Sequence, residues 1–372
     1  MASSDNKPIR ALEFFSGIGG LHYGFNLSGV PGEVVASFDV NTVGNDVYMH
    51  NFKKVPNNTS IDTLSVQDIE GEFLSLSQIS SQLLAYESSL PGRQLETQCL
   101  KILTGGKLLD DQDPRAKALL HLIDIIHKLS QPPEYVFLEN VLNFETSRSR
   151  TLLLTQLDSL SYTIYECLLS PLQFGIANDR LRYYLMARRR ATESFVELPT
   201  PYLERAVIYT QWPFEGEEVR WEPTALESVL ELGADEIEEL KVPEKDLLKS
   251  FNFRFAGSIL QTKQLEITSY DFTNPSSLLP LGLRFFSPLE VARLHAFPVP
   301  PSEGQLVPLP QLKQSTAPRL FRQPASLPHL EFPDTVTTIQ KHRLLGNSLN
   351  CWVVAELLRC VLFRNSIRGG EQ

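Results

Sequence analysis

The sequence predicts an α/β fold built on a doubly wound, mostly parallel sheet, with a smaller second domain. Three observations predict it. Short apolar runs alternate with stretches of helical period from residue 11 to residue 188, the pattern of successive βαβ units. A glycine-rich turn directly follows the first apolar run. After Leu198 the texture changes to prolines and acidic clusters, as expected where a separate unit begins.

In order along the chain, "ALEFF" (11–15) is a buried-strand candidate, "SGIGG" a turn and "LHYGFNLSG" a helix. "VVASFDV" (34–40) supplies a second strand and "NDVYMHNF" (45–52) a second helix. "AKALLHLIDIIHKL" (116–129) carries apolar residues at helical spacing, and "YVFLENV" (135–141) is an apolar strand ending in polar residues. "TLLLTQLDSL" (151–160) reads as helix and "LRYYLMAR" (181–188) as strand. The organisation expected is a first unit over 1–195 and a second region over 196–335. The region between Pro298 and Pro333 holds nine of the chain's 25 prolines and reads as a long irregular insertion. A C-terminal helix over 336–372 then returns to the first unit.

Composition narrows the function classes. At 372 residues, with 42% hydrophobic and 21% charged residues, the chain reads as an ordinary globular protein. Its four cysteines show neither metal-type spacing nor a dense framework, which points to a reducing compartment, cytoplasmic or nuclear, and to no metal. No apolar stretch is long enough for a membrane span. A net charge of −10 argues against a nonspecific nucleic-acid coat and leaves room for a local basic groove. The densest basic cluster, "MARRRA" (186–191), reads first as a solvated strand end and second as a phosphate contact.

In doubly wound sheets ligands sit outside the carboxyl ends of the strands, so residues there carry chemical weight. "FFSGIGG" (Phe14 to Gly20) joins a strand to a helix N-terminus, where free N–H groups suit a carboxylate or phosphate. Asp39 ends the second strand, where a carboxylate accepts both hydroxyls of a ribose. The two features favour a nucleoside-containing cofactor, a dinucleotide or S-adenosylmethionine. The spacing of Gly17, Gly19 and Gly20 departs from the dinucleotide pattern G-x-G-x-x-G. Glu139 and Asn140 end a buried strand, where a carboxylate is costly to hide unless protonated or paired. Arg180 and Arg182 fall on one face of a strand start, a spacing suited to oxyanion, phosphate or base-edge contacts and equally to a salt-bridged edge. "LLGNSLN" (344–350) is a Gly-Asn-Ser turn that by itself would be an N-cap.

The order of these signals, with "DVNTVGNDVYMHNF", "DPRAKALLHLIDIIHKL", "YVFLENVLNFE", "SPLQFGIANDRLRYYLMAR" and "LGLRFFSPLEVARLHAFP", resembles the cytosine-C5 methyltransferase superfamily. Within it the chain is most similar to the tRNA-aspartate branch, described as DNA methyltransferase homologues. The resemblance covers most of 9–191 and 282–360. It implies the S-adenosylmethionine-dependent methyltransferase fold, S-adenosylmethionine as cofactor, and a nucleic-acid partner, tRNA before DNA. It assigns Phe15, Ser16, Gly17, Gly19 and Gly20 to the methionine end of the cofactor. Asp39 would take the ribose, Val40 the adenine face, and Asp62 the adenine amino group, with Asp68 as a rival. Glu139 would contact the N3/N4 edge of cytosine, Arg180 and Arg182 would orient the substrate, and Asn347 and Ser348 would close the cofactor pocket.

Two parts of the family pattern are missing. The family places Pro-Cys-Gln at the strand end before "DPRAK", yet no cysteine of this chain follows a proline. That place is taken by "LAYESSLPGRQLETQCLK" (84–101), with Leu90 where the nucleophile belongs. Cys99 lies in "ETQCLKIL", which reads as a helix start or polar loop with nothing basic to lower its pKa. Tyr86 to Gly92 can be encoded by TAT GAG TCC TCC CTG CCA GGN, one of the codon strings the residues permit, which read one nucleotide later gives Met-Ser-Pro-Pro-Cys-Gln. The expectation is a shifted reading frame in this stretch, restored before Asp113, and a chain of little or no turnover. The family's Cys-Phe-Thr is likewise absent upstream of "GSIL" (257–260). The rivals are a catalytically silent binding homologue, a DNA-directed enzyme using Cys99, and a Rossmann oxidoreductase.

Overall fold

The protein is described by a computed structural model that covers residues 8–71, 98–104, 114–189, 202–212, 220–221, 226, 229–231, 238–242, 284–299, 312–314 and 328–363. Leu90 and the "GSIL" segment lie outside them. Seven strands form one sheet: β1 (Ile9–Phe14), β2 (Gly32–Phe38), β3 (Gln98–Thr104), β4 (Tyr135–Val141), β5 (Tyr162–Leu169), β6 (Arg182–Arg189) and β7 (Ile208–Tyr209). Their spatial order is β2-β1-β3-β4-β6-β5-β7.

The sheet is covered on both faces, which explains why its strands read as near-continuous apolar runs. Side chains on β4 alternate between two cores. Tyr135 and Phe137 join Tyr184 and Met186 on one side. Val136 and Leu138 join Tyr183 and Leu185 on the other. The first face is closed by α1 (Gly20–Ser28) and a C-terminal helix, Cys351–Leu357. Gly24 makes their close approach possible, because a Cβ there would meet Val354 Cγ1 at 2.8 Å and the Cys351 carbonyl at 3.0 Å. Four further helices precede the C-terminal half: α2 (Thr42–Phe52), α3 (66–71), α4 (Pro114–Lys128) and α5 (Arg148–Ser159). Of these, α4 and α5 close the second face.

Three expectations change. The 181–188 strand is antiparallel to both neighbours, β4 and β5. Between β5 and β6 the chain makes only a 3₁₀ turn, Pro171–Phe174, with no crossover helix; antiparallel pairs accept such short connections and parallel pairs do not. The segment read as a helix start or polar loop around Cys99 is β3, hydrogen-bonded between β1 and β4. Backbone pairing on both sides overrides its weak local pattern. The sheet also continues past the expected boundary at residue 195: β7 pairs with β5, and Trp212 stacks on Phe174 at 5.2 Å.

Among the later segments, α6 (Tyr202–Arg205) leads into β7, and β8 (Arg220–Trp221) pairs with β9 (Leu312–Gln314). Helix α7 (Pro288–Leu294) opens with a capping box between Ser287 and Glu290. Glu290 is buried and takes both terminal nitrogens of Arg284 at 2.7 Å, the Ser287 amide and the Glu231 amide. It thus fastens residues 229–231 to α7. The chain ends in α8 (Thr338–Gly346) and α9, the Cys351–Leu357 helix. Among the described residues no helix is long and apolar enough to cross a membrane, and no cluster of His, Cys, Asp and Glu has the makings of a metal site.

Candidate active site

The glycine-rich turn leaves β1 with Phe15 at φ 54°, Gly17 at 52° and Gly19 at 83°. A left-handed backbone at a phenylalanine is costly, and such strain collects at functional sites. Gly19 is required sterically as well: a Cβ there would strike the Phe52 ring at 2.3 Å. Gly17, by contrast, faces open space. Asp39 sets the turn, accepting from Gly17 N at 2.7 Å through Oδ2 and from Asn41 N at 2.8 Å through Oδ1.

The sheet brings Glu139 and Arg182 together at its carboxyl end. Glu139 opposes Tyr184, and Arg182 opposes Val141, so the two charged residues are diagonal neighbours on one face. Arg182 Nε lies 3.5 Å from Glu139 Oε1. Burial, and next the Glu139 carboxylate, push the Tyr184 hydroxyl well above its ordinary pKa, so it stays a neutral phenol. Asn140 folds its amide oxygen back onto the Val141 amide at 2.8 Å.

Arg180 does something else. Its Nη2 donates to the carbonyls of Gly346 at 2.7 Å and Ser348 at 3.2 Å, pinning the C-terminal turn. Burial, and next the neighbouring Arg182, lower its pKa. Asn178 Nδ2 donates to Leu294 O at 2.9 Å, and Asn350 Nδ2 donates to the same oxygen at 3.1 Å. The Cys351 amide bonds His295 O at 2.9 Å. The arginine loop, the end of α7 and the C-terminal turn are therefore knotted together. Ser348 in turn abuts α1, where a Cβ on Gly20 would lie 2.7 Å from its Oγ. Inside the knot His295 is buried, with Nδ1 on the Val291 carbonyl at 2.9 Å. Burial, and then Arg180, lower its pKa to about 4, so it is a neutral imidazole.

The other sequence-derived candidates separate clearly. Val40 is exposed beside Asp39 and leaves an apolar face open. Asn347 is exposed at the end of α8. Asp62 is exposed on a 3₁₀ turn, where it takes the Ser60 hydroxyl. Its rival Asp68 is spent on a capping interaction with Ser65 N and Oγ, both at 2.7 Å, and those bonds lower its pKa. The basic cluster is structural where described: Arg188 lies over the Tyr135 ring, and Arg189 donates to Pro132 O.

Cys99 occupies the second position of β3, in register with Ala11 and Tyr135, whereas Thr104 pairs with Asn140 at the carboxyl end. Five residues separate Cys99 from that end, about 16 Å at ~3.3 Å per residue. The backbone thus carries Cys99 away from Glu139. Sequence reasoning missed Asn178, Asn350, His295 and the ring pair His22–Tyr48. Only the two asparagines had a signal, as amides flanking the R-x-R and Gly-Asn-Ser motifs.

The C-5 cytosine-specific DNA methylase family matches residues 99–218. A DNA (cytosine-5)-methyltransferase of Dictyostelium discoideum is 31% identical over 407 residues, covering 96% of each chain. A tRNA (cytosine(38)-C(5))-methyltransferase of Bos taurus is 30% identical over 95% of this chain and 99% of its own. Among solved structures, a mutant DNMT2 of Spodoptera frugiperda matches with a TM-score of 0.62 and 29% identity, over 95% of this chain and 99% of its own. With this fold, this site and a 31% identical relative matched along almost its whole length, the chain belongs to the cytosine-C5 methyltransferase family.

Proposed function

We propose that the chain binds S-adenosylmethionine at the Phe15–Gly20 turn and is built to methylate cytosine C5 in tRNA. As encoded, we infer, it turns over little or not at all. The observation that carries the reading is the placement of the turn, Asp39 and the Glu139–Arg182 pair at the carboxyl end of one sheet. The buried polar atoms support the cofactor: Ser16 Oγ and Asn45 Oδ1, beside the turn and Asp39, have no hydrogen-bond partner among the described residues. Gly19, the N-cap of α1, offers no side-chain cap, so the first amides of the helix are open to a carboxylate.

The cofactor when bound supplies an electrophilic methyl group. The chain's own residues do the rest. Asp39, a carboxylate at the end of β2 beside the turn, would take the ribose hydroxyls, and the exposed Val40 face suits the adenine ring. Glu139, held by Arg182, would place its carboxyl at the N3/N4 edge of an extruded cytosine and share a proton with N3. Arg182 faces the same space and would contact the base carbonyl. Arg180, committed to Gly346 and Ser348, acts by closing the C-terminal turn. Cytosine C5 becomes nucleophilic only after a thiolate adds to C6. The strand beside Glu139 is β3, and the sequence supplies no cysteine near its carboxyl end.

The similarity to tRNA enzymes supports tRNA as the partner class, and the non-framework cysteines support a cytoplasmic or nuclear setting. The test is tritiated methyl transfer to tRNA and to DNA, run beside calorimetry with S-adenosylhomocysteine. Binding without methyl incorporation is the expected result. Incorporation at family-typical rates would overturn the inactivity, and absence of binding would overturn the cofactor assignment.

A further inference from the structure

Beneath the glycine-rich turn runs a buried polar thread that the catalytic reading leaves unused. Glu13 on β1 is fully buried, as is Tyr48 on α2, and His22 on α1 is nearly so. Tyr48 Oη donates to Glu13 Oε2 at 3.2 Å, and His22 Nδ1 lies 2.8 Å from Tyr48 Oη. Burial and the Glu13 carboxylate hold the Tyr48 hydroxyl well above its ordinary pKa, so it stays a neutral phenol and donates a hydrogen bond to Glu13. With that hydrogen directed at Glu13, the phenol oxygen is an acceptor for Ser37 and for His22, an arrangement that puts the His22 hydrogen on Nδ1. That ring stacks on Phe52, with centroids 3.8 Å apart and planes 6° apart. Phe52 is the ring that a Cβ on Gly19 would strike at 2.3 Å.

We propose that the thread Glu13–Tyr48–His22 is a positioning device for the cofactor turn, fixing the His22 tautomer and, through Phe52, the left-handed backbone of Gly19. This role rests on the cofactor reading above. It joins three elements, β1, α1 and α2, whose mutual placement sets the distance between Gly17 and Asp39. Gly19 precedes the free amides of α1, so a shift of the Phe52 ring moves the groups that would receive the cofactor carboxylate.

The test uses the full chain and S-adenosylhomocysteine. Tyr48→Phe removes the hydroxyl and keeps the ring; His22→Phe keeps a stacking ring and removes Nδ1. Each is expected to raise the Kd about tenfold with the urea midpoint of unfolding close to wild type. Unchanged affinity in both variants, with binding by wild type, overturns the role and leaves the cofactor reading standing. No binding by wild type overturns both. Nitrogen NMR on the wild-type protein gives a reading independent of variant folding. The His22 proton is expected on Nδ1, and its resonance is expected to move when S-adenosylhomocysteine is added. A proton on Nε2, or a resonance indifferent to the ligand, overturns the proposal.

Discussion

Glu139 and Arg182 meet across adjacent antiparallel strands, Oε1 to Nε at 3.5 Å, with side chains only 9% and 21% exposed. Removing the cation leaves a carboxylate in a poorly solvated position, which costs more than the pair itself contributes. Arg182→Met is expected to destabilise the chain by about 2 kcal/mol, below the cost at a fully buried pair because some solvent reaches it. Glu139→Gln should cost less than half as much. Urea unfolding of both variants checks the order, and equal losses would contradict it.

Arg180 serves the C-terminal turn. Arg180→Met takes donors from the Gly346 and Ser348 carbonyls, at an expected cost of about 1–3 kcal/mol. Affinity for S-adenosylhomocysteine should fall about tenfold, because Ser348 rests against the start of α1. Calorimetry showing unchanged affinity would detach the clamp from the cofactor site.

His295 makes stability depend on pH. Its folded pKa of about 4 lies below the unfolded value of 6.5, so the unfolded state binds the proton more readily. Stability is full above pH ~6.5 and is lost as pH falls toward 4, by about 3 kcal/mol in all. His295→Gln should flatten that slope. Denaturation midpoints measured from pH 7.5 to 4.5 in both proteins check the sign, and a slope of equal size in the variant would refute the assignment.

Methyl incorporation into tRNA and into DNA is expected to stay at background, and Cys99→Ala should change neither figure. The position of Cys99 near the amino end of β3 requires this result. A Cys99-dependent signal would revive the DNA-directed rival. Genomic sequencing across residues 84–110 settles the reading-frame proposal: codons incompatible with Pro-Cys-Gln in the next frame would sink it.

Much of this was legible in the sequence. Strand ends at Phe14, Phe38 and Val141 follow, to within a residue or two, from apolar runs that stop at polar residues, and the glycine turn follows from its place between strand and helix. Glu139 and Arg182 are both motif residues, and their pairing needed only the register. The failures have physical causes. Gln98–Thr104 has no decisive period, and only hydrogen bonding on both edges makes it a strand. Arg180 and Arg182 are equivalent by spacing, yet one meets a carboxylate and the other two carbonyls contributed by residues far along the chain. Asp62 and Asp68 look alike in composition, yet the first takes one serine hydroxyl and the second both the amide and the hydroxyl of Ser65. His295 and His22 carry no local mark, since their roles arise from contacts between distant segments.

The seven residues of β3 hold the middle of the sheet through main-chain groups, which every amino acid but proline provides alike. A shifted frame that removed the nucleophile at Leu90 and ran on through these residues would therefore leave their main-chain pairing intact. For this gene, natural selection on a foldable product and selection on a working enzyme would act on separable features. A cell could go on making a well-formed protein long after the reaction had been lost.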